Sequence, residues 1–467
     1  MGLLKKYYAV IQQWFYRISE KKYFNEIYVG IIAFISLLGW RFNSIAGMSV
    51  LLSVSVIAVL FTFDLKYTIP SIMYLVFTLG EGLSSYSVPV PFVILGILMF
   101  VFILIPTLKN GIHRHKMKSL LGLAGLAVMN FIPILWCDTI PAGSEVFYFF
   151  FFADAGYFII YFLYVNGLGK NSIRMLAVSM SYLGVMLAVQ CFCMIYKWKD
   201  TVESILDLWY YMGWGLCNEA GIMICVSLPF TFYLLAKSTR LEDMILQNAK
   251  ILITAAGLIF TNSRGSYLFG FIEIVLLVIS LFFIAEKKKA YRNTMFGYAV
   301  LLLVLCIIFH DDLLRIVDKV IGTVFEHGFS DNGRFQIWEK AVDAWGKNFL
   351  YKLFGPGFCS VIEWRNTAAG EQLTPLVFHS TIYQTLAMGG IVGLFFLFIH
   401  FYQKYKQIFS TERAFLLTVG IGYLIVDIYG LIDNTYHMYY YMIPLMIIMA
   451  CIDCQTTAVP DTPQELW

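Results

Sequence analysis

The sequence predicts an all-α, polytopic integral membrane protein with about 12–14 transmembrane helices and one large helical extracytoplasmic loop. Three observations lead there. Of the 467 residues, 60% are hydrophobic and only 13% are charged, a proportion that a soluble domain of this size does not bury. Apolar runs long enough to cross a bilayer recur along almost the whole chain. Lysine and arginine gather in alternate connecting loops, as a membrane protein of fixed orientation requires.

Residues 1–26 read as an amphipathic cytoplasmic interfacial segment, with Leu3, Leu4, Tyr7, Ile11, Trp14, Phe15 and Ile18 on one face. Met1-Gly2 lacks the serine or threonine that myristoylation needs, because Lys6 occupies that place. No cleavable signal peptide is evident. Spans are expected at 27–42, 45–63, 67–80, 90–108, 118–136, 146–165 and 173–195. Further ones are expected at 215–236, 249–262, 266–285, 294–310, 379–402, 413–431 and 435–451. With the N-terminus inside, the loops holding Lys109, Arg114, Lys116 and Lys118 face the cytoplasm. So do those with Lys170 and Arg174, with Lys237, Arg240 and Lys250, with Lys287–Lys289 and Arg292, and with Lys404, Lys406 and Arg413. The opposite loops carry few cations (Arg41, Lys197, Lys199 and Arg264), so both termini are expected to be cytoplasmic.

Two outward segments stand out. Residues 196–214 mix lysines with Trp209, Tyr210, Tyr211 and Trp214, as at a headgroup boundary. Residues 311–378 form the long loop. Helical spacing recurs there at 312–326, and again at 334–349 behind a cap at Asp331 or Asn332. Gly355-Pro356-Gly357 then breaks the chain. The resulting division is an interfacial segment at 1–26, membrane helices at 27–310, a loop domain at 311–378, membrane helices at 379–451 and a cytoplasmic tail at 452–467. No inverted repeat of the kind common in transporters is visible.

Polar residues that could carry chemistry cluster on the outward side. Thr261-Asn262-Ser263-Arg264-Gly265-Ser266 separates two apolar helices; an arginine fork there suits a pair of phosphate oxygens, although it could also simply snorkel to water. Arg334 opens a loop helix whose N-terminus favours anions; a solvated loop arginine is the plainer reading. His379, in Phe378-His379-Ser380, lies where the loop re-enters the membrane, and imidazole can take a proton from an attacking hydroxyl. Lone histidines are more often structural. His113, His115, His327 and His400 follow no catalytic pattern, and His437 is held in reserve. Asp154, Glu273 and Asp427 lie inside apolar runs, where carboxylates are costly; they could line a cavity or bond between helices. Asp433 and Asn434 sit at an outer helix end, to contact substrate or to cap a turn. Cys451 and Cys454 have no second pair to complete a metal site. No metal or cofactor is expected, and nothing points to nucleic acid.

These residues resemble the O-antigen ligase and polymerase family of bacterial envelope glycosyltransferases. Thr261–Ser266 is similar to its short arginine turn, and Gly333-Arg334-Phe335 with Trp338 to the start of its large periplasmic loop region. Phe354-Gly355-Pro356-Gly357 resembles its glycine turn. His379, with Leu386 and Gly389-Gly390-Ile391-Val392-Gly393, resembles its histidine and the helix after it. Cys217-Asn218-Glu219-Ala220-Gly221 with Pro229 is similar to an earlier helix. Two departures stand out: Ser380 follows the histidine where asparagine is commoner, and Met388 stands where an acidic residue is frequent.

The resemblance implies metal-independent transfer of a glycan from undecaprenyl diphosphate to a glycan acceptor, at the outer face of the bacterial cytoplasmic membrane. His379, Arg334 and Arg264 are the implied catalytic residues, with Ser266, Trp338, Gly355, Gly357, Asn218 and Asp433 in substrate binding. Membrane lipids are the surroundings, and a chain-length regulator is a further partner to look for. Polymerisation of repeat units is the leading reading and ligation to a terminal acceptor the next. An exporter of lipid-linked oligosaccharide is the alternative from another class; there Asp154, Glu273 and Asp427 would couple ions.

Overall fold

A computed structural model describes residues 2–19, 21, 23–80, 100–109, 111–112, 114–136, 154–169, 171–202, 208–325, 334–357, 362–367, 370–375 and 377–455. Its helices are α1 (Gly2–Ser19), α2 (Phe24–Arg41), α3 (Ile45–Thr62), α4 (Ile69–Leu75), α5 (Phe100–Lys109), α6 (Leu120–Phe131) and α7 (Ala155–Gly167). There follow α8 (Ser172–Trp198), α9 (Cys217–Ala236), α10 (Leu241–Phe260), α11 (Arg264–Ile284), α12 (Lys288–Ile308), α13 (His310–Phe325), α14 (Arg334–Gly346) and α15 (Phe349–Phe354). After a hairpin come α16 (Thr381–Phe409), α17 (Arg413–Phe415), α18 (Ile421–Tyr429) and α19 (Tyr439–Gln455). Among the described residues, seven helices are long and apolar enough to cross a membrane, so this is a helical multi-pass membrane protein.

Because α9 is apolar on every side, it runs through the middle of the bundle, 89% buried, packed by α8, α10, α11 and α18. Small residues set how closely those neighbours come. A Cβ on Gly257 of α10 would lie 2.5 Å from that of Ala188 on α8, the close backbone approach typical of membrane helix pairs. Among the described residues, helices occupy most of the expected spans, while residues 90–99 and 146–153 of two of them lie outside the described residues; three differences of substance stand out. The run 67–80 is broken into 3-10 turns at Leu65–Thr68 and Val76–Thr78 around the short α4, whose Pro70 sits in its first turn. The span expected at 249–262 begins at Leu241 instead. Lys250 had been read as a cytoplasmic loop residue; it lies inside that helix, buried, with Nζ 2.6 Å from Oε2 of Glu26 on α2. A charge that breaks an apolar run is neutralised by a residue more than two hundred positions away.

The third difference concerns α16. Gly390 has φ +62° and ψ −157°, so the helix consists of two halves, 381–389 and 391–409. The backbone N–H of Thr381 donates to Gly430 O (2.9 Å), while Lys404 Nζ reaches Asp427 Oδ2 (2.5 Å). Asp427 and Gly430 are one turn apart. A straight helix would hold Thr381 and Lys404 about 35 Å apart, so the first half folds back along the second. The segment 379–402 is therefore not one straight span, and His379 is set back from the turn by about 13–16 Å of helix. Lys404, another residue read as a cytoplasmic loop cation, is fully buried in the second half.

Within 311–378 the expected helices are present as α13 and α14, whereas the proposed cap Asp331 or Asn332 lies outside the described residues. The loop also contains an antiparallel hairpin, β1 (Ile362–Thr367) with β2 (Gly370–Pro375), pairing Ile362 with Pro375 and Thr367 with Gly370. The bundle is all-α, but this hairpin departs from the wholly helical loop that was expected. Alternation is confined to Ile362-Glu363-Trp364-Arg365, and the rest of the hairpin, with Asn366, Glu371 and Gln372, is polar, too short a pattern to mark two strands.

Candidate active site

The turn Phe378-His379-Ser380 leads into the first half of α16, whose helix starts from Ser380 in extended backbone. His379 itself has φ +46°, a conformation uncommon outside glycine but several-fold enriched in histidine. Its Nδ1 lies 3.3 Å from Oδ1 of Asp433. An ionised carboxylate only accepts, so Nδ1 carries a hydrogen toward Asp433 and Nε2 points away from it. Asp433 is 6% exposed and also accepts from the N–H of Asn434 (2.8 Å). Its Oδ2 is 3.7 Å from Nη2 of Arg334. One buried carboxylate thus joins the histidine and the loop arginine.

Trp338 brings Arg334 there. One turn along α14, its Nε1 donates to Phe378 O (2.8 Å) and its ring stacks on Tyr383, with centroids 4.9 Å apart. Ala341, Phe378 and Ala387 are buried behind it. Trp338 therefore docks the loop helix on the turn that carries His379. Arg264 opens α11 and is tied to the same centre through Tyr429. Ser263 caps that helix by accepting from Ser266 N (3.3 Å), and the hydroxyls of Ser263 and Ser266 lie 3.2 and 3.4 Å from Tyr429 Oη. Tyr429 O in turn accepts from the N–H of Asp433 (3.0 Å). Gly265 must be glycine here, since a Cβ would stand 2.5 Å from Tyr429 Oη.

The stretch carrying Arg264, Arg334 and His379 matches, over residues 249–398, the family model described as O-antigen ligase. Residues 249–398 are therefore similar to the O-antigen ligase family. Among curated proteins none matches the chain. The match encloses seven of the nine residues singled out from the sequence; Asn218 and Asp433 fall outside it.

Ser266 is fully buried, facing Tyr429 and Gly221; a Cβ on Gly221 would come within 1.6 Å of its oxygen. Asn218 is half-buried in the first turn of α9, next to Glu219, whose carboxylate accepts from Leu216 N (2.7 Å). Glu219 lies within reach of the charges of Asp433 and His379. Gly355 and Gly357 are buried against the bend of α16. Gly357 N donates to Ala387 O (3.1 Å), Trp136 Nε1 donates to Gly355 O (3.0 Å), and a Cβ on Gly355 would sit 2.7 Å from the backbone nitrogens of Gly389 and Gly390. This backbone-to-backbone contact accounts for glycine at 355, and Gly357 has φ +97°, a conformation that favours glycine.

Two of the three carboxylates in apolar runs have basic partners. Asp154 pairs with His437 (3.0 Å) and Asp427 with Lys404. Glu273 is buried beside Cys225 and Gly422. Among the described residues, no group of three or more His, Cys, Asp or Glu side chains is placed to hold a metal ion. Sequence reading had assigned Asp433 to substrate contact or a cap, and it had passed over Tyr429 and Gln384. The Asp433-Asn434 pair was visible; its meeting with a histidine 54 positions earlier was not.

Proposed function

We propose that this protein polymerises polyprenyl-diphosphate-linked oligosaccharide units at the outer face of the bacterial cytoplasmic membrane, with both termini inside. The observation that carries the reading is Asp433, buried between His379 and Arg334. Held through Nδ1, His379 presents Nε2 to the acceptor hydroxyl and takes its proton. As the acceptor oxygen bonds to the anomeric carbon, the bond from that carbon to the donor's diphosphate oxygen breaks. The diphosphate leaves with its negative charge, which Arg264 and Arg334 offset. With two guanidinium charges on the leaving group, the chain's own residues supply the electrostatic part of catalysis. Asn218, Ser266, Trp338, Gly355 and Gly357 shape and support the surroundings of the donor.

The test is a glycan size profile of cells lacking the protein, complemented with the parent, Arg264→Ala, Arg334→Ala or His379→Ala. Single lipid-linked units in the null strain, and failure of all three variants to restore long chains at normal membrane levels, are expected. Long chains that accumulate unattached on the lipid would make it a ligase. Full restoration by all three variants would sink the assignment, and units trapped on the inner leaflet would mean an exporter.

A further inference from the structure

We infer that His437 is a positioning residue for the transfer reaction: with Asp154 it pins the 433–437 turn to the first half of α16, so that Asp433 meets His379. Such a role presupposes that His379 and Asp433 act as proposed above. Three rungs join the turn to one face of α16. Thr381 Oγ1 lies 3.2 Å from Thr435 Oγ1, Asn434 Nδ2 donates to Gln384 Oε1 (3.3 Å), and Thr385 Oγ1 lies 2.9 Å from His437 Nε2. Positions 381, 384 and 385 follow the spacing of a single helix face. The His437 rung reaches onward into the bundle, because Asp154 stands at the N-cap position of α7 and accepts from Asn130 Nδ2 on α6 (2.7 Å).

The hydrogens on this rung can be assigned. Thr385 donates its hydroxyl to Thr381 O (2.7 Å), so Nε2 of His437 must donate to the threonine oxygen. Nδ1 faces both oxygens of Asp154, at 3.0 and 3.3 Å. Ring and carboxyl are buried together, at 1% and 3% side-chain exposure, so this contact is shielded from water. The order Thr–His–Asp imitates a nucleophile with its base, yet Thr385 is wholly buried and its hydroxyl is engaged. It has no way to meet a substrate. His437 also has φ +69°, so the turn is held in a backbone conformation that its neighbours must enforce.

The experiment uses purified full-length protein and lipid-linked oligosaccharide extracted from cells lacking it. Turnover, KM and melting temperature are measured for Thr385→Val, Thr385→Ser and His437→Gln. We expect kcat to fall about tenfold or more in Thr385→Val and His437→Gln, with KM within about twofold. Thr385→Ser, which keeps the hydroxyl, should turn over at the parent rate. Parent kcat in Thr385→Val overturns the inference, and so does a loss confined to melting temperature. If His437→Gln does not fold, the isosteric Thr385→Val decides alone, judged on kcat per folded molecule. His379→Ala is run alongside: activity there would overturn the catalytic reading itself, whereas an inactive His379→Ala with fully active Thr385→Val would overturn only the role of His437.

Discussion

At the scale of single residues, the site turns on a buried carboxylate. Asp433 does two things at once: it holds the proton on Nδ1 of His379, and it draws Arg334 from the loop toward the bundle. An amide of the same shape does neither, because asparagine can donate to Nδ1 and so favour the opposite tautomer. Asp433→Asn should therefore lower kcat by about a hundredfold or more, by analogy with other histidine–aspartate pairs. Melting temperature should change little, since the two shapes match. Parent turnover in the same transfer assay would show that Asp433 contributes no orientation. His379→Asn tests the backbone separately: asparagine tolerates positive φ, so loss of transfer with normal folding would place the role in the ring.

At the scale of elements, the fold depends on the bend in α16 and on what clasps it. The bend is made where Gly355 of the long loop and Gly390 of the helix touch backbone to backbone; a Cβ on Gly390 would stand 2.5 Å from Leu353 O and from Gly355 N. Gly390→Ala adds both that clash and a positive φ with ψ −157°, a region essentially confined to glycine that costs about 1–3 kcal/mol by itself. A fall of several degrees in melting temperature is expected, together with lost transfer as α15 is pushed off the bend. An unchanged melting curve in detergent would show that the clasp carries no strain-sensitive packing. Its consequence for the site follows from geometry: the first half of α16 carries His379, and the docked α14 carries Arg334, so loosening the bend moves both.

For the molecule as a whole, charges removed from water are paired across helices that are remote in sequence. Glu26 meets Lys250 between α2 and α10, Lys404 meets Asp427 between α16 and α18, and His437 meets Asp154. In a low-dielectric interior each partner makes the other tolerable, and removal of one leaves an uncompensated charge at a cost of about 3–5 kcal/mol. Lys404→Met should therefore be strongly destabilising, while Lys404→Met with Asp427→Leu should recover much of the loss. Thermal unfolding of the two variants checks this; a double variant as unstable as the single would contradict it. These pairs also explain what could be read without coordinates. Composition, apolar run length and the distribution of cations determined a helical membrane protein, one long polar loop, and Arg264, Arg334 and His379 as the residues to watch, because hydropathy and residue chemistry are local properties. Contacts are not local. Only the tertiary structure decided that Lys250 and Lys404 are buried, that 379–409 doubles back, that a polar hairpin lies in the loop, and that Asp433 joins His379 to Arg334. Each of these depends on which distant side chain satisfies a buried charge, or on where two glycines let backbones touch, and neither leaves a periodic mark in the chain.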